Sequence, residues 1–155
     1  MSCEWALFGN LLHVRAKLSK WSDYFMDVAV RTSELSYATR LKVGAVAVRD
    51  KRIVCVGFNG TPPNSLNECE KDGTTLPNVL HAEENLILFA AKQGISLNGC
   101  SIYITHQPCL NCARMIFGSG MTEVVYKDIY RTSEGLEFLE SVGLTVRRYD
   151  ARDLP

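Results

Sequence analysis

Short β-rich runs alternate with short helical segments along most of this sequence, and that order restricts the chain to few architectures. The predicted elements are, in chain order, helix 20–36, strands 43–48 and 52–58, helix 81–94, strand 101–105, helix 109–120, strand 122–128, helix 133–143 and strand 144–150. The order predicts an α/β fold in which a mixed five-stranded sheet lies between helices on both faces. Strands 43–48 and 52–58 are joined by three residues, which indicates an antiparallel hairpin. A right-handed crossover through the last helix predicts that the final two strands are parallel.

Length, charge and cysteine content exclude several functional classes. The 155 residues suit one domain, and 46% hydrophobic with 22% charged residues is typical of a globular protein. The 17 Lys and Arg balance the 17 Asp and Glu, so charge does not favour a polynucleotide partner. No apolar run approaches the ~20 residues needed to cross a membrane, and no signal peptide is recognisable. We therefore expect a cytoplasmic protein whose six cysteines are thiols or metal ligands.

The predicted elements occupy residues 21–150, which we interpret as the one domain, with an N-terminal extension over 1–20 and a short tail over 151–155. The Pro- and Asn-rich stretch Thr61–Asn78 is predicted to be a long surface loop. Loops of this length are often functional.

Two short fragments carry the chemistry. His81-Ala82-Glu83 opens one predicted helix, and Pro108 precedes Cys109 and Cys112 at the start of another. One His and two Cys spaced by a helical turn suit tetrahedral zinc, and three protein ligands leave the fourth position open, as in catalytic sites. Water in such a position is acidified to a pKa of about 7. Glu83 is close enough in sequence to a ligand to handle that water's protons without binding the metal.

Each fragment alone is weak, because a lone Cys-x-x-Cys is more often redox-active, structural or accidental. Their conjunction is the signature of zinc nucleobase deaminases. The remaining cysteines are interpreted as structural: Cys55 in an apolar strand, Cys100 before a strand, Cys69 in the long loop and Cys3 near the terminus.

Two further histidines are left open by the sequence. His106, two residues before Pro108, is either near the site or an ordinary packing residue. His13 has no recognisable partner.

From Trp21 to Tyr149 the chain resembles the deoxycytidylate (dCMP) deaminase family within the cytidine deaminase superfamily. The stretches that carry the resemblance are VGAVAV (43–48), GFNGTP (57–62), HAEEN (81–85) and PCLNC (108–112). The resemblance implies a three-layer α-β-α cytidine-deaminase-like fold. It also implies hydrolysis of dCMP to dUMP and ammonia, with one Zn²⁺ on His81, Cys109 and Cys112 and with Glu83 as proton shuttle.

The resemblance extends less firmly to nucleotide contacts. Arg40 is either a phosphate ligand, for which its fork of donors is suited, or a solvated charge. Asn59 either holds the sugar and phosphate end or is a turn residue. Tyr130 matches a Tyr that relatives place over the sugar, and it is otherwise a packed aromatic.

Many family members are homohexamers that dCTP with Mg²⁺ activates and dTTP inhibits. Their effectors bind near the Gly-aromatic-Asn-Gly stretch, so the corresponding effector residues here are Gly57, Phe58, Gly60 and Thr61. The resemblance thus implies a hexameric enzyme with dCMP, dCTP and dTTP as nucleotide partners, without a membrane or polynucleotide partner. Such an enzyme would act in the cytoplasm, or in the host cytoplasm if the protein is viral. The dUMP that it forms would supply thymidylate synthesis.

The sequence departs from the family pattern at several places, and two alternative functions therefore stay open. Loop 64–80 lacks the extra ligands that some members use for a second zinc, residues 1–20 exceed the minimal family start, and Thr105-His106-Gln107 replaces a common Leu-Ser pair. One alternative is a sibling deaminase that acts on dCTP or another cytosine nucleotide. The other is a zinc-stabilised, non-catalytic regulatory subunit, against which the presence of Glu83 argues.

Overall fold

A mixed five-stranded sheet forms the centre of the protein in the computed structural model, which describes residues 20–150. The described helices are α1 (residues 20–33), α2 (Ala82–Gln93), α3 (Leu110–Gly118) and α4 (Glu134–Ser141). The central strands are β1 (Gly44–Arg49), β2 (Arg52–Phe58), β5 (Ser101–His106), β6 (Glu123–Asp128) and β7 (Thr145–Arg148). Strands β3 (Glu70–Lys71) and β4 (Thr74–Thr75) form a separate hairpin. The predicted extension and tail, with Cys3 and His13, lie outside the described residues, except that residue 20 is already helical.

The strand order is β2-β1-β5-β6-β7. β1 is antiparallel to both β2 and β5, whereas β5, β6 and β7 run parallel. The predicted hairpin, the parallel final pair and the mixed five-stranded sheet are therefore confirmed. Because β5 and β6 are parallel, the carboxyl end of β5 and the loop after β6 meet at one edge of the sheet.

Two apolar clusters, one on each face of the sheet, hold the three layers together. Successive side chains of a strand point to opposite faces. Ala45 and Ala47 of β1 accordingly face a cluster with Leu86 of α2, Ile116 of α3 and Leu139 of α4. On the other face, the residues that pack together are Val46 and Val48 of β1 and Phe25, Met26 and Ala29 of α1. The α-β-α layering is confirmed, with Cys55 and Cys100 buried in the first cluster as predicted.

Two local predictions were wrong. The first helix ends at residue 33 rather than 36, and Leu35 lies beyond it, 59% exposed. The hydroxyls of Thr32 and Ser33 donate to the carbonyls of Val28 and Val30. The Val30 carbonyl lies in the last turn of the helix, where carbonyls lack an intrahelical N–H, so the Ser33 hydroxyl supplies its donor.

The predicted loop 61–78 contains the β3–β4 hairpin. Asp72 and Gly73, with φ of 51° and 74°, form its two-residue turn. No helix among residues 20–150 is long and apolar enough to cross a membrane.

Candidate active site

The start of α2 presents His81 and Glu83. His81 is the N-cap, and its backbone N–H donates to the Glu84 carboxylate at 3.3 Å. Strand β2 fixes the position of this first turn, because Gly57 of β2 packs directly against it. A Cβ at Gly57 would be 2.4 Å from the Ala82 carbonyl oxygen. Glu83 therefore enters the interior at a defined place and is only 4% exposed.

The start of α3 presents the two cysteines. Cys109 is the N-cap, and its sulfur accepts a hydrogen bond from the Cys112 backbone N–H at 3.5 Å. One helical turn then places the Cys112 side chain, which is almost fully buried, beside that of Cys109.

The three predicted ligands converge. His81 Nδ1 lies 3.6 Å from Cys109 Sγ and 3.4 Å from Cys112 Sγ. All three ligand atoms lie within 4.8 Å of one another. Ordinary Zn–N and Zn–S bond lengths at tetrahedral angles give an N–S separation of about 3.5 Å. The residues present therefore fit zinc in both donor chemistry and spacing, with a fourth position left for a non-protein ligand.

The protonation of the site also suits a metal. Hydrogen bonds from Cys112 and from His81 lower the pKa of Cys109 to about 3, which favours the thiolate form that binds a metal. The hydrogen bond to Cys109 and burial raise the pKa of Cys112, so its proton must leave when a metal binds. Burial raises the pKa of Glu83 to about 7, where a carboxyl can take up and release a proton near neutral pH.

A cavity of about 400 Å³ opens beside these residues. Its walls bring together the following predicted residues: His81, Glu83, Cys109, Arg40, Asn59 and Tyr130. Arg40 is exposed, whereas Glu83 is buried, so Arg40 lies toward the mouth and Glu83 toward the interior. The structure thus gathers in one cavity residues that the sequence separates by up to 90 positions.

The predicted nucleotide residues make distinct contacts. Arg40 Nη1 donates to Thr75 Oγ1 at 3.3 Å. The Asn59 side chain accepts from the Val43 N–H and donates to the Leu41 carbonyl, both at 2.8 Å, so it also holds the loop before β1. Tyr130 has its ring against the Arg131 guanidinium, 5.0 Å from the ring centroid. Their contacts with substrate stay predictions.

The four predicted effector residues lie at the end of β2 and directly after it: Gly57 and Phe58 end the strand, and Gly60 and Thr61 follow it. Gly57 serves the close packing of β2 on α2, and Gly60 pairs through its backbone with Leu80. Asn85 of α2 donates to the carbonyl of Phe58 at 2.8 Å. Within the described segment 57–61, Asn59 is the residue that lines the cavity. The segment is thus bonded directly to the start of α2, which carries His81.

Sequence reasoning missed four polar or charged residues at the cavity: Glu70, Thr75, Gln107 and Arg131. The only signal for Gln107 was its departure from the family's Leu-Ser pair. His106, which the sequence left open, also lines the cavity, and its Nδ1 lies 3.1 Å from Thr105 Oγ1.

Gln107 is buried, and its side-chain amide donates to the carbonyls of Tyr130 and Thr132. We expect Gln107→Ala to lower the free energy of unfolding by about 1–3 kcal/mol, because both carbonyls lose their donor. We also expect KM to rise, because Tyr130 is no longer held. Urea unfolding and steady-state kinetics measure these effects. Gln93→Ala, at an exposed position of α2, is the control and should stay within about 0.5 kcal/mol of the parent. Equal stability of Gln107→Ala and Gln93→Ala would show that the Gln107 amide does not stabilise the fold through these two carbonyls.

Gly135 of α4 lies against the turn that carries Cys109. A Cβ at Gly135 would be 2.1 Å from the Pro108 carbonyl oxygen and 3.0 Å from the Cys109 carbonyl carbon. We expect Gly135→Ala to cost about 1–3 kcal/mol of stability and to weaken zinc retention, because backbone must move. Gly118→Ala is the matched control, since nothing lies within 4 Å of its Cβ, and it should be neutral or stabilising. Chelator competition measures zinc retention, and urea unfolding measures stability. If Gly135→Ala retained zinc as well as the parent does, α4 would not support the turn that carries Cys109.

A His-Cys-Cys donor set beside a buried carboxyl, at a cavity in an α-β-α fold, is the arrangement of a hydrolytic zinc enzyme. The family model for the cytidine and deoxycytidylate deaminase zinc-binding region matches residues 19–128. The chain belongs to this family, and it is a hydrolytic deaminase.

Individual proteins that are similar to this chain include dCMP deaminases. A crystal structure of dCMP deaminase from the cyanophage S-TIM5, in complex with dCMP and dUMP, superposes with a TM-score of 0.80 at 37% identity and covers 82% of this chain and 95% of that one. ComE operon protein 2 of Bacillus subtilis is 34% identical over 86% of this chain and 74% of its own length. Deoxycytidylate deaminase of Saccharomyces cerevisiae is 34% identical over 87% of this chain, which spans 46% of that protein.

Proposed function

We propose that the protein deaminates dCMP, converting dCMP and water to dUMP and ammonia. The observation that carries the proposal is one cavity that is lined by the zinc-type ligands His81 and Cys109, by the buried Glu83 and by the exposed Arg40. The phage enzyme that the chain resembles was crystallised with dCMP and dUMP. A pyrimidine ring that reaches Glu83 and a phosphate that meets Arg40 are the two ends of such a nucleotide.

His81, Cys109 and Cys112 would hold the zinc, which when bound lowers the pKa of water to about 7. Glu83 accepts a proton from the attacking water as the bond to C4 of cytosine forms. The same carboxyl delivers that proton to N3. It then takes the proton of the new C4 hydroxyl and passes it to the amino group, so that the C4 carbonyl forms as the C4–N bond breaks and ammonia leaves. Burial of Glu83 excludes bulk water from these transfers and keeps its pKa near the value that both steps need.

At the other end of the substrate, Arg40 offers a planar set of donors to the phosphate. Asn59 and Tyr130 line the same cavity as Arg40 and Glu83, and we propose that they contact the sugar. Because Asn59 already bonds the backbone of residues 41 and 43, its remaining N–H and lone pair are what it can offer.

We further propose that dCTP with Mg²⁺ activates the enzyme, that dTTP inhibits it, and that it works as a homohexamer in supplying dUMP for thymidylate synthesis. The retained segment Gly57–Pro62 supports this regulation. An effector that moved this segment would also move the start of α2, since Gly60 pairs with Leu80 and Phe58 is bonded to Asn85. Phe58 and Thr61 are the partly exposed members that an effector could contact.

A triphosphate substrate is the second candidate. Arg131 also lines the cavity and is exposed, so the mouth carries two guanidinium groups rather than one. A second cation suits the additional charge of dCTP.

The test is turnover by purified protein whose zinc content has been measured. The substrates are dCMP, dCTP and cytidine, each alone, and then dCMP with dCTP and Mg²⁺. Chromatography separates dUMP from dUTP, so that activation by dCTP is not confused with its consumption. Preferred turnover of dCMP supports the proposal, and preferred turnover of dCTP supports the second candidate. One zinc per chain without turnover of any substrate would contradict both.

A further inference from the structure

The β3–β4 hairpin is bonded to the loop that carries Arg40. The Glu70 carboxylate accepts hydrogen bonds from the backbone N–H of Thr39 at 3.1 and 3.2 Å and from the Thr39 hydroxyl at 3.2 Å. It also accepts from the backbone N–H of Arg40 at 3.3 Å. These donors come from a segment about 30 residues earlier in the chain, so the contacts exist only in the folded protein.

Arg40 needs such support. Residues 37–43 contain no helix or strand, and the Arg40 side chain is exposed. A long side chain on an irregular loop samples many rotamers, and ordering it on binding costs free energy. Besides Glu70 on its backbone, Arg40 has one contact from the hairpin on its side chain, the 3.3 Å bond from Nη1 to Thr75 Oγ1. The hairpin therefore holds both the backbone and the guanidinium.

The hairpin is itself anchored. Cys69, next to Glu70, is 2% exposed and packs with Ala38 and Val79. Its carbonyl accepts a hydrogen bond from the Leu76 N–H at 2.9 Å, which closes the base of the hairpin. The Asp72-Gly73 turn fixes the register of the two strands. Glu70 and Thr75 thus project from a defined element rather than from a mobile loop.

We propose that Glu70 is a positioning residue that holds Arg40 at the mouth of the cavity and so sets the preference for phosphorylated over unphosphorylated cytosine nucleosides. The inference rests on the proposed function. Its reason is geometric: the carboxylate lone pairs are taken up by Thr39 and by the Arg40 backbone, while the Arg40 guanidinium keeps donors beyond the one used on Thr75. Glu70 therefore holds the backbone of Arg40 beside the cavity, while the guanidinium keeps donors for a ligand there.

The first test compares Glu70→Ala, Thr75→Val and the control Glu68→Ala, all in the full-length zinc-loaded protein. Glu68 is an exposed carboxylate two residues away. With Glu70→Ala we expect KM for dCMP to rise about tenfold or more, the size expected for loss of charge-assisted hydrogen bonds. We expect kcat for dCMP and kcat/KM for deoxycytidine to stay unchanged. Thr75→Val should show a smaller rise, and Glu68→Ala none.

A double variant and amide hydrogen exchange complete the test. Glu70→Ala combined with Arg40→Ala should be no worse than Arg40→Ala alone, because Glu70 acts through Arg40. Exchange at the amides of Thr39 and Arg40 should accelerate in Glu70→Ala, and the other amides of the domain should not change.

Three results would overturn the inference. They are an equal loss on dCMP and deoxycytidine, multiplicative losses in the double variant, and unchanged exchange at residues 39 and 40. Failure of the parent to deaminate either substrate would instead contradict the proposed function. The exchange rates would in that case still report whether Glu70 holds Arg40.

Discussion

The variant Glu83→Gln should retain one zinc per chain and a parent-like free energy of unfolding, and kcat should fall by about 10²- to 10⁴-fold. The side chains have the same shape, but an amide cannot accept the water proton and pass it on, and general acid–base catalysis supplies a factor of that size. Stability should not suffer, because Glu83 is 4% exposed and burial of a neutral amide costs less than burial of a carboxylate. Steady-state kinetics, metal analysis and urea unfolding measure the three quantities.

Glu84→Gln is the matched control for this experiment. It makes the same chemical change on the adjacent residue, which is not in the cavity and which accepts a hydrogen bond from the His81 N–H. Glutamine serves that N-terminal capping role as well, so activity should be close to that of the parent. Deamination by Glu83→Gln at the parent rate would show that another group shuttles the proton.

The second large effect is expected from His81→Ala. Zinc should fall from one per chain to near zero, with turnover lost, because two cysteines alone lack the third donor of the site. In the parent, His81 Nδ1 lies 3.6 Å from Cys109 Sγ and 3.4 Å from Cys112 Sγ, and the variant lacks this nitrogen. Cys109 also loses a hydrogen bond that lowers its pKa. Metal analysis after dialysis, with activity measured on the same sample, is the direct test.

His106→Ala is the comparison for zinc content. This histidine lines the same cavity but lies outside the ligand cluster, so the variant should keep a full equivalent of zinc. A full equivalent in His81→Ala would instead show that the ligand assignment is wrong. Loss of zinc from both variants would mean that zinc content follows the general integrity of the cavity.

The zinc ligands and the proton shuttle were available from sequence because each pair is local. His81 and Glu83 share the first turn of α2, and Cys109 and Cys112 share that of α3, so helix geometry fixes their relation. The residues that support the site from other segments could not be predicted in this way. Gln107 is bonded to carbonyls 23 and 25 positions later, and Glu70 to amides about 30 positions earlier, with no local pattern to indicate either.

The two wrong predictions have different origins. The apolar spacing after residue 20 continues to Leu35, but Gly44 packs so closely on Ala29 and Ser33 that a Cβ there would be 2.0 Å from the Ala29 carbonyl oxygen. The chain turns away beyond this contact, and Leu35 is left exposed. The β3–β4 hairpin was read as loop because strands of two residues have no periodicity, although Asp72-Gly73 was a visible turn signal.

By itself, the sequence determined the order of the helices and of the five central strands, the β1–β2 hairpin and the residue types of the zinc site. Local spacing, caps and turn residues specify these features without reference to the rest of the chain. Only the tertiary structure decided that the starts of α2 and α3 meet, with His81 Nδ1 and two sulfurs at zinc-ligand spacing. It also decided that Arg40 shares their cavity and that Glu70 and Gln107 support its walls. These are contacts between distant segments, which depend on how helices pack on the sheet and on the strand order β2-β1-β5-β6-β7.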